Sequence, residues 1–87
     1  MGDNDYYLLL RKGILLHCGM EDINENNCKI ISIQIFKQDQ NYVSLTNIKR
    51  FFGLLPIASQ FSPFILNSLC QFIGYHHWID FKENVTV

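Results

Sequence analysis

Ser62-Pro63 constrains this chain more tightly than any other pair of residues. A serine hydroxyl accepts from a free N–H at the start of a helix, and proline at the first helical position forfeits no hydrogen bond. The apolar run that follows stops at Gly74. Glycine most readily takes the left-handed backbone of a helix stop. The same grammar recurs elsewhere. Ser44 opens residues 45–52 and Gly53 closes them; Asp3, Asn4 and Asp5 offer caps for residues 6–18, closed by Gly19. Starts and stops this closely spaced leave room only for short helices. The expected fold is all-α, a compact bundle of about four to five short helices. It forms one domain over residues 1–87, with an ordered core at about 5–82.

Apolar spacing assigns the inner faces. In 45–52, Leu45, Ile48, Phe51 and Phe52 share a stripe opposite Thr46, Asn47, Lys49 and Arg50. In 63–73, Leu66, Leu69, Cys70 and Phe72 fall inward with Ile65 and Ile73, and a last helix at about 77–82 turns Trp78 and Phe81 inward. Residues 6–18 are different. Their leucines and Ile14 cover most of the circumference, broken only by Arg11, Lys12 and His17. A helix apolar nearly all round is buried on more than one side, so one side is expected to meet a partner through Leu9, Ile14 and Leu16. Gly13 costs about 1 kcal/mol relative to alanine in mid-helix and is expected to mark a close helix crossing. Residues 28–38 carry two patterns. Ile31, Ile33 and Ile35 alternate with Ser32 and Gln34 as in a strand, whereas Cys28, Ile31 and Ile35 recur as on a helix. The surrounding chain favours helix, capped by Asn26 or Asn27.

Composition excludes several function classes. At 48% hydrophobic, the chain is not intrinsically disordered. Seven Lys and Arg against eight Asp and Glu leave no basic excess for bulk electrostatic binding of nucleic acid, although a locally basic face is compatible. No apolar run approaches the roughly 20 residues of a membrane span, and the acidic start lacks the basic region of a secretory signal. Three cysteines, an odd number, fit reduced thiols in a cytoplasmic protein better than a disulfide framework. His17, Cys18, Cys28, Cys70, His76 and His77 offer zinc-ligating atoms without zinc-site spacing, so no metal is expected. No glycine-rich phosphate loop is present, and a chain this small has little room for a deep pocket. No enzymatic activity and no cofactor are expected.

Two function classes are left. The first is a DNA-binding module. A helix at 28–38, a polar turn and a Ser-capped helix at 45–52 follow the order of a helix-turn-helix, although the five-residue turn at 39–43 is longer than the usual 3–4 residues. Ser44 and Lys49 would meet phosphate of double-stranded DNA, with Thr46, Asn47 and Arg50 at base edges. The second is a protein-interaction or dimerisation module working through the first helix, as a homodimer or with another protein.

Residues 43–54, VSLTNIKRFFGL, carry a pattern S-x-x-[TN]-I-x-R-F-F-G-L, and residues 66–81, LNSLCQFIGYHHWIDF, carry L-x-x-L-x-x-F-x-G-Y-x-x-W-x-D-F. With CKIIS at 28–32, these blocks resemble a small helical, helix-turn-helix-like domain found at the N-terminus of uncharacterised bacterial proteins. The resemblance spans about residues 19–81. It implies an N-terminal module of a longer cytoplasmic protein and a framework of Arg50, Phe51, Phe52, Gly53, Gly74, Trp78 and Phe81. Through the Ser-capped helix and the later Gly-Tyr it also looks distantly like phage-repressor helix-turn-helix regions, which leans the expectation toward DNA binding and transcription regulation. The chain departs from the pattern at Asn47 and Ile65, where the family carries threonine. A structural role for Arg50 is the competing expectation, packed over an aromatic ring such as Trp78 or paired with Asp80.

Overall fold

The computed structural model describes residues 2–56 and 60–85. Five helices occupy them: α1 (Asp3–Cys18), α2 (Glu25–Asp39), α3 (Leu45–Phe51), α4 (Pro63–Phe72) and α5 (Trp78–Asn84), with no strand among the described residues. The fold is the expected all-α bundle. Residues 57–59, between α3 and α4, lie outside the described residues, as do residues 1 and 86–87.

The serine starts and glycine stops are where the sequence puts them. Ser44 accepts from the Asn47 N–H at 3.2 Å and Ser62 from the Ile65 N–H at 3.3 Å. Gly19, Gly53 and Gly74 take φ of 67°, 80° and 100°. Two caps differ from expectation. Gly2, not an acidic residue, caps α1. Asp3 and Asp5 lie inside its first turn, where carboxylates face the positive end of the helix dipole, and Asp5 accepts from the Gly2 N–H at 3.3 Å. The second helix starts earlier than expected, capped by Asn24 rather than Asn26 or Asn27. Asn24 Oδ1 accepts from the Asn27 N–H, and Asn27 Nδ2 donates to the Asp22 carbonyl, both at 2.8 Å.

The strand-like alternation in 28–38 also has a physical explanation. Cys28, Ile31 and Ile35 are fully buried, while Ile30, Ile33 and Phe36 are exposed. At about 100° per residue, Ile33 lies roughly 160° round the helix from both Ile31 and Ile35. The alternation comes from a helix that is apolar on two opposite faces.

The core gathers Leu10 and Ile14 of α1, Ile31 and Ile35 of α2, Ile48 and Phe51 of α3, Leu69 and Phe72 of α4, and Phe81 of α5. An aromatic group closes one end. Tyr7 lies 5.7 Å from both Phe51 and Phe61 and 5.5 Å from Trp78, which stacks on Phe81 at 5.8 Å. At the other end a polar chain joins three helices: His17 Nε2 bonds Gln38 Oε1 at 3.1 Å, and Gln38 Nε2 donates to the Phe72 carbonyl at 2.9 Å. Gly13 marks the close crossing expected of it, since a Cβ there would stand 2.9 Å from Ile73 Cδ1. The three cysteines are free thiols; Cys28 and Cys70 are buried and Cys18 half-buried. Burial, then the Asp80 charge, pushes the Cys70 thiol up to about 12.

Candidate protein-interaction surface

The polar side of α3 is largely engaged by the fold. Lys49 Nζ lies 2.8 Å from Glu25 Oε1 of α2 and has 20% of its side chain exposed. The pairing holds the Glu25 carboxyl below its ordinary value, through the hydrogen bond first and the lysine charge second. Arg50 is half-buried, and its Nε is fully enclosed without a hydrogen-bond partner. It is neither stacked on Trp78 nor paired with Asp80. Lys82 stacks there instead, 5.3 Å from the Trp78 ring, while Asp80 accepts from the His76 N–H and from Asn84. Arg11 takes the structural part expected of Arg50. Its Nε donates to the Phe51 carbonyl at 2.6 Å and its guanidinium lies 5.6 Å from the Phe51 ring, closing the C-terminal end of α3. Sequence spacing could not separate the two arginines, because the choice depends on how α1 crosses α3. Of the five residues proposed to touch DNA, Thr46 is exposed, whereas Ser44, Asn47, Lys49 and Arg50 are half-buried.

The first-helix surface is divided. Ile14 is fully buried in the core, which corrects its expected place on a docking face. Leu9 is half-buried, and Leu16 is 81% exposed. Leu16 lines a shallow hollow of about 400 Å³ with Lys12, Leu15, Met20 and Glu21. The helix is apolar all round because its sides meet different surroundings, and Leu9, Ile14 and Leu16 do not form one patch.

A more coherent apolar face lies on α2. Ile33 is 54% exposed and Phe36 49% exposed, and Tyr42, from the connection at 40–44, is 68% exposed. With Ser32 and Lys37 they line a groove of about 380 Å³. The groove is built by local tethers. Ser32 Oγ donates to the Val43 carbonyl at 2.6 Å, and Asn41 Nδ2 donates to Gln71 Oε1 of α4 at 2.9 Å. Val43 is buried, while its neighbour Tyr42 lies exposed beside Ile33 and Phe36. Gln40 makes the bend at φ 63°, the one left-handed non-glycine among the described residues. Sequence reasoning missed Ile30, Ile33, Phe36 and Tyr42 as surface residues. For the three in α2 the signal lies in the doubled pattern of 28–38, which marks two apolar faces of one helix rather than a choice between helix and strand.

A second cleft, about 400 Å³, lies between α4 and α5, lined by Phe61, Pro63, Leu66, Asn67, His77, Trp78 and Ile79. Its polar atoms already serve the fold: Asn67 Oδ1 accepts from the Trp78 N–H, and His77 Nδ1 caps α5 by accepting from the Asp80 N–H. Among the described residues, no three His, Cys, Asp or Glu side chains group to hold a metal ion, and no helix is long and apolar enough to cross a membrane. No family model, no curated protein and no solved structure matches the chain.

Proposed function

We propose that this domain is a protein-interaction module whose binding surface is the outer face of α2. One observation carries the reading. α2 is apolar on two opposite faces, and only the inner one, with Ile31 and Ile35, is covered. A helix apolar all round belongs between two surfaces. Contiguous exposed apolar patches of this kind mark interaction sites on small proteins. A cytoplasmic setting belongs to the same reading, supported by the three free cysteines.

DNA binding is the second reading. The order α2, connection, Ser-capped α3 favours it, together with the exposed Thr46 at the start of α3. The Lys49–Glu25 pair and the half-buried Arg50 support it less, since phosphate contact needs free cations. Photo-crosslinking from position 36 in cells, with position 83 as the control, tests the first reading: a discrete protein adduct specific to position 36 is expected. No adduct, together with salt-sensitive duplex binding that Lys49→Ala/Arg50→Ala abolishes, would replace it with the second.

A further inference from the structure

Charge on the α2 face limits what can cover it. Lys29 and Lys37 each lie about 40° round the helix from Ile33, on opposite sides, and roughly 12 Å apart along its axis. Neither forms an ion pair among the described residues, where the pairs are Lys49–Glu25 and Lys82–Asp3. Asp39 lies about 120° round the helix from Ile33, so it does not oppose Lys37. Glu25, one turn before Lys29 and paired with Lys49, also feels the Lys29 charge and offsets part of it. The face is therefore an apolar stripe of Ile30, Ile33, Phe36 and Tyr42 flanked by two exposed lysines, Lys37 unopposed and Lys29 partly offset.

We infer that this face receives an acidic amphipathic helix of another protein, its apolar stripe in the Ile33–Phe36–Tyr42 groove and its carboxylates on Lys29 and Lys37. The inference rests on the protein-interaction reading and adds the partner's chemistry to it. Helix-in-groove recognition uses apolar anchors at successive turns, and complementary rim charges set orientation and exclude wrong partners. A second copy of this chain is the wrong partner. In a two-fold pairing the patch meets itself, so antiparallel α2 helices would set Lys29 of one copy against Lys37 of the other. Nucleic acid would also satisfy the lysines and has Phe36 and Tyr42 to stack on, but Ile30 and Ile33 add apolar surface with no stacking plane, which the apolar stripe of a helix covers and bases do not. Four large side chains make a site small beside the roughly 800 Å² per partner of a standard interface. The expected affinity is therefore micromolar.

The test is an amide-shift titration of the whole isotope-labelled chain with two synthetic helices of about four turns. Both carry the same leucine stripe; one is flanked by glutamates and the other by lysines. The glutamate peptide is expected to shift Ile30, Ile33, Phe36, Lys37 and Tyr42, and to bind roughly tenfold more tightly than the lysine peptide at low salt. The variant Lys29→Glu/Lys37→Glu, at two exposed positions, should reverse that preference. Equal binding of the two peptides at α2 would overturn the acidic partner and leave the interaction face standing. No shift at α2 with either peptide, even at about millimolar concentration, would overturn both. A dimer that Phe36→Asp dissociates, or a single-stranded oligonucleotide that shifts these amides at lower concentration than the glutamate peptide, would overturn the inference in favour of a second copy or of nucleic acid.

Discussion

The outward faces of α2 and α3 differ in a way their residue types conceal. α3 has the residues that look functional, Thr46, Asn47, Lys49 and Arg50, yet most of that polarity is turned back into the molecule. Lys49 ties α3 to α2, and Arg50 is partly enclosed. α2 shows the reverse. Its four isoleucines and Phe36 look like core, yet three of these five side chains lie in solvent beside two exposed lysines that form no ion pair among the described residues. A side chain is available for function when no neighbour engages it, and chemical type alone does not say so.

The largest test of that contrast lies within α2 itself. Ile35→Ala should cost about 2–5 kcal/mol by urea unfolding, as expected for a filled core position. Ile33→Ala, only two residues away, should stay within about 0.5 kcal/mol of the parent. Equal costs would break the distinction between a packed and an uncovered face. Next in size is the cation engaged by the fold. Arg11→Met should lose about 1–3 kcal/mol, because the Phe51 carbonyl gives up a short charged hydrogen bond. Lys37→Met, at an exposed position without an ion pair among the described residues, should change stability little. If the two cost the same, engaged and free cations are not distinct in this molecule.

A smaller effect sharpens the comparison at the groove. Gln40 bends left-handed to bring Tyr42 over α2, at a conformational cost glycine would avoid. Gln40→Gly should stabilise the domain by about 0.5–1 kcal/mol in thermal unfolding, and a loss would show that the Gln40 side chain supports the turn.

The smallest effect is on the α3 side. The Glu25 carboxyl titrates lower in the folded chain than when unfolded, so the ion pair contributes stability above about pH 4.5 and loses it as pH falls through the folded value. Unfolding midpoints of the parent and Glu25→Gln should differ near neutral pH and converge in acid. A gap that persists in acid would show that Lys49 is not held by the Glu25 charge.

The helix boundaries were legible because capping is local. Ser44, Ser62 and the glycines at 19, 53 and 74 act on groups within a turn of themselves. The cap of α2 is less legible because several asparagines compete; Asn24 takes it by accepting from the Asn27 N–H, while the Asn27 side chain reaches back to the Asp22 carbonyl. The candidate site was much less legible. Ile14 and Leu16 look equivalent along the chain, yet one is fully buried and the other is almost free.

Sequence alone determined the all-α architecture, the order of the helices and most of their ends, since helix propensity, capping and apolar period are encoded within a few turns. Tertiary structure alone decided which of two apolar faces of α2 became core, which arginine closes α3, and that Lys49 would face Glu25 while Lys29 and Lys37 faced solvent. Those outcomes depend on which helices cross and how closely. Gly13 permits one such crossing at Ile73, through contacts between residues far apart in the chain.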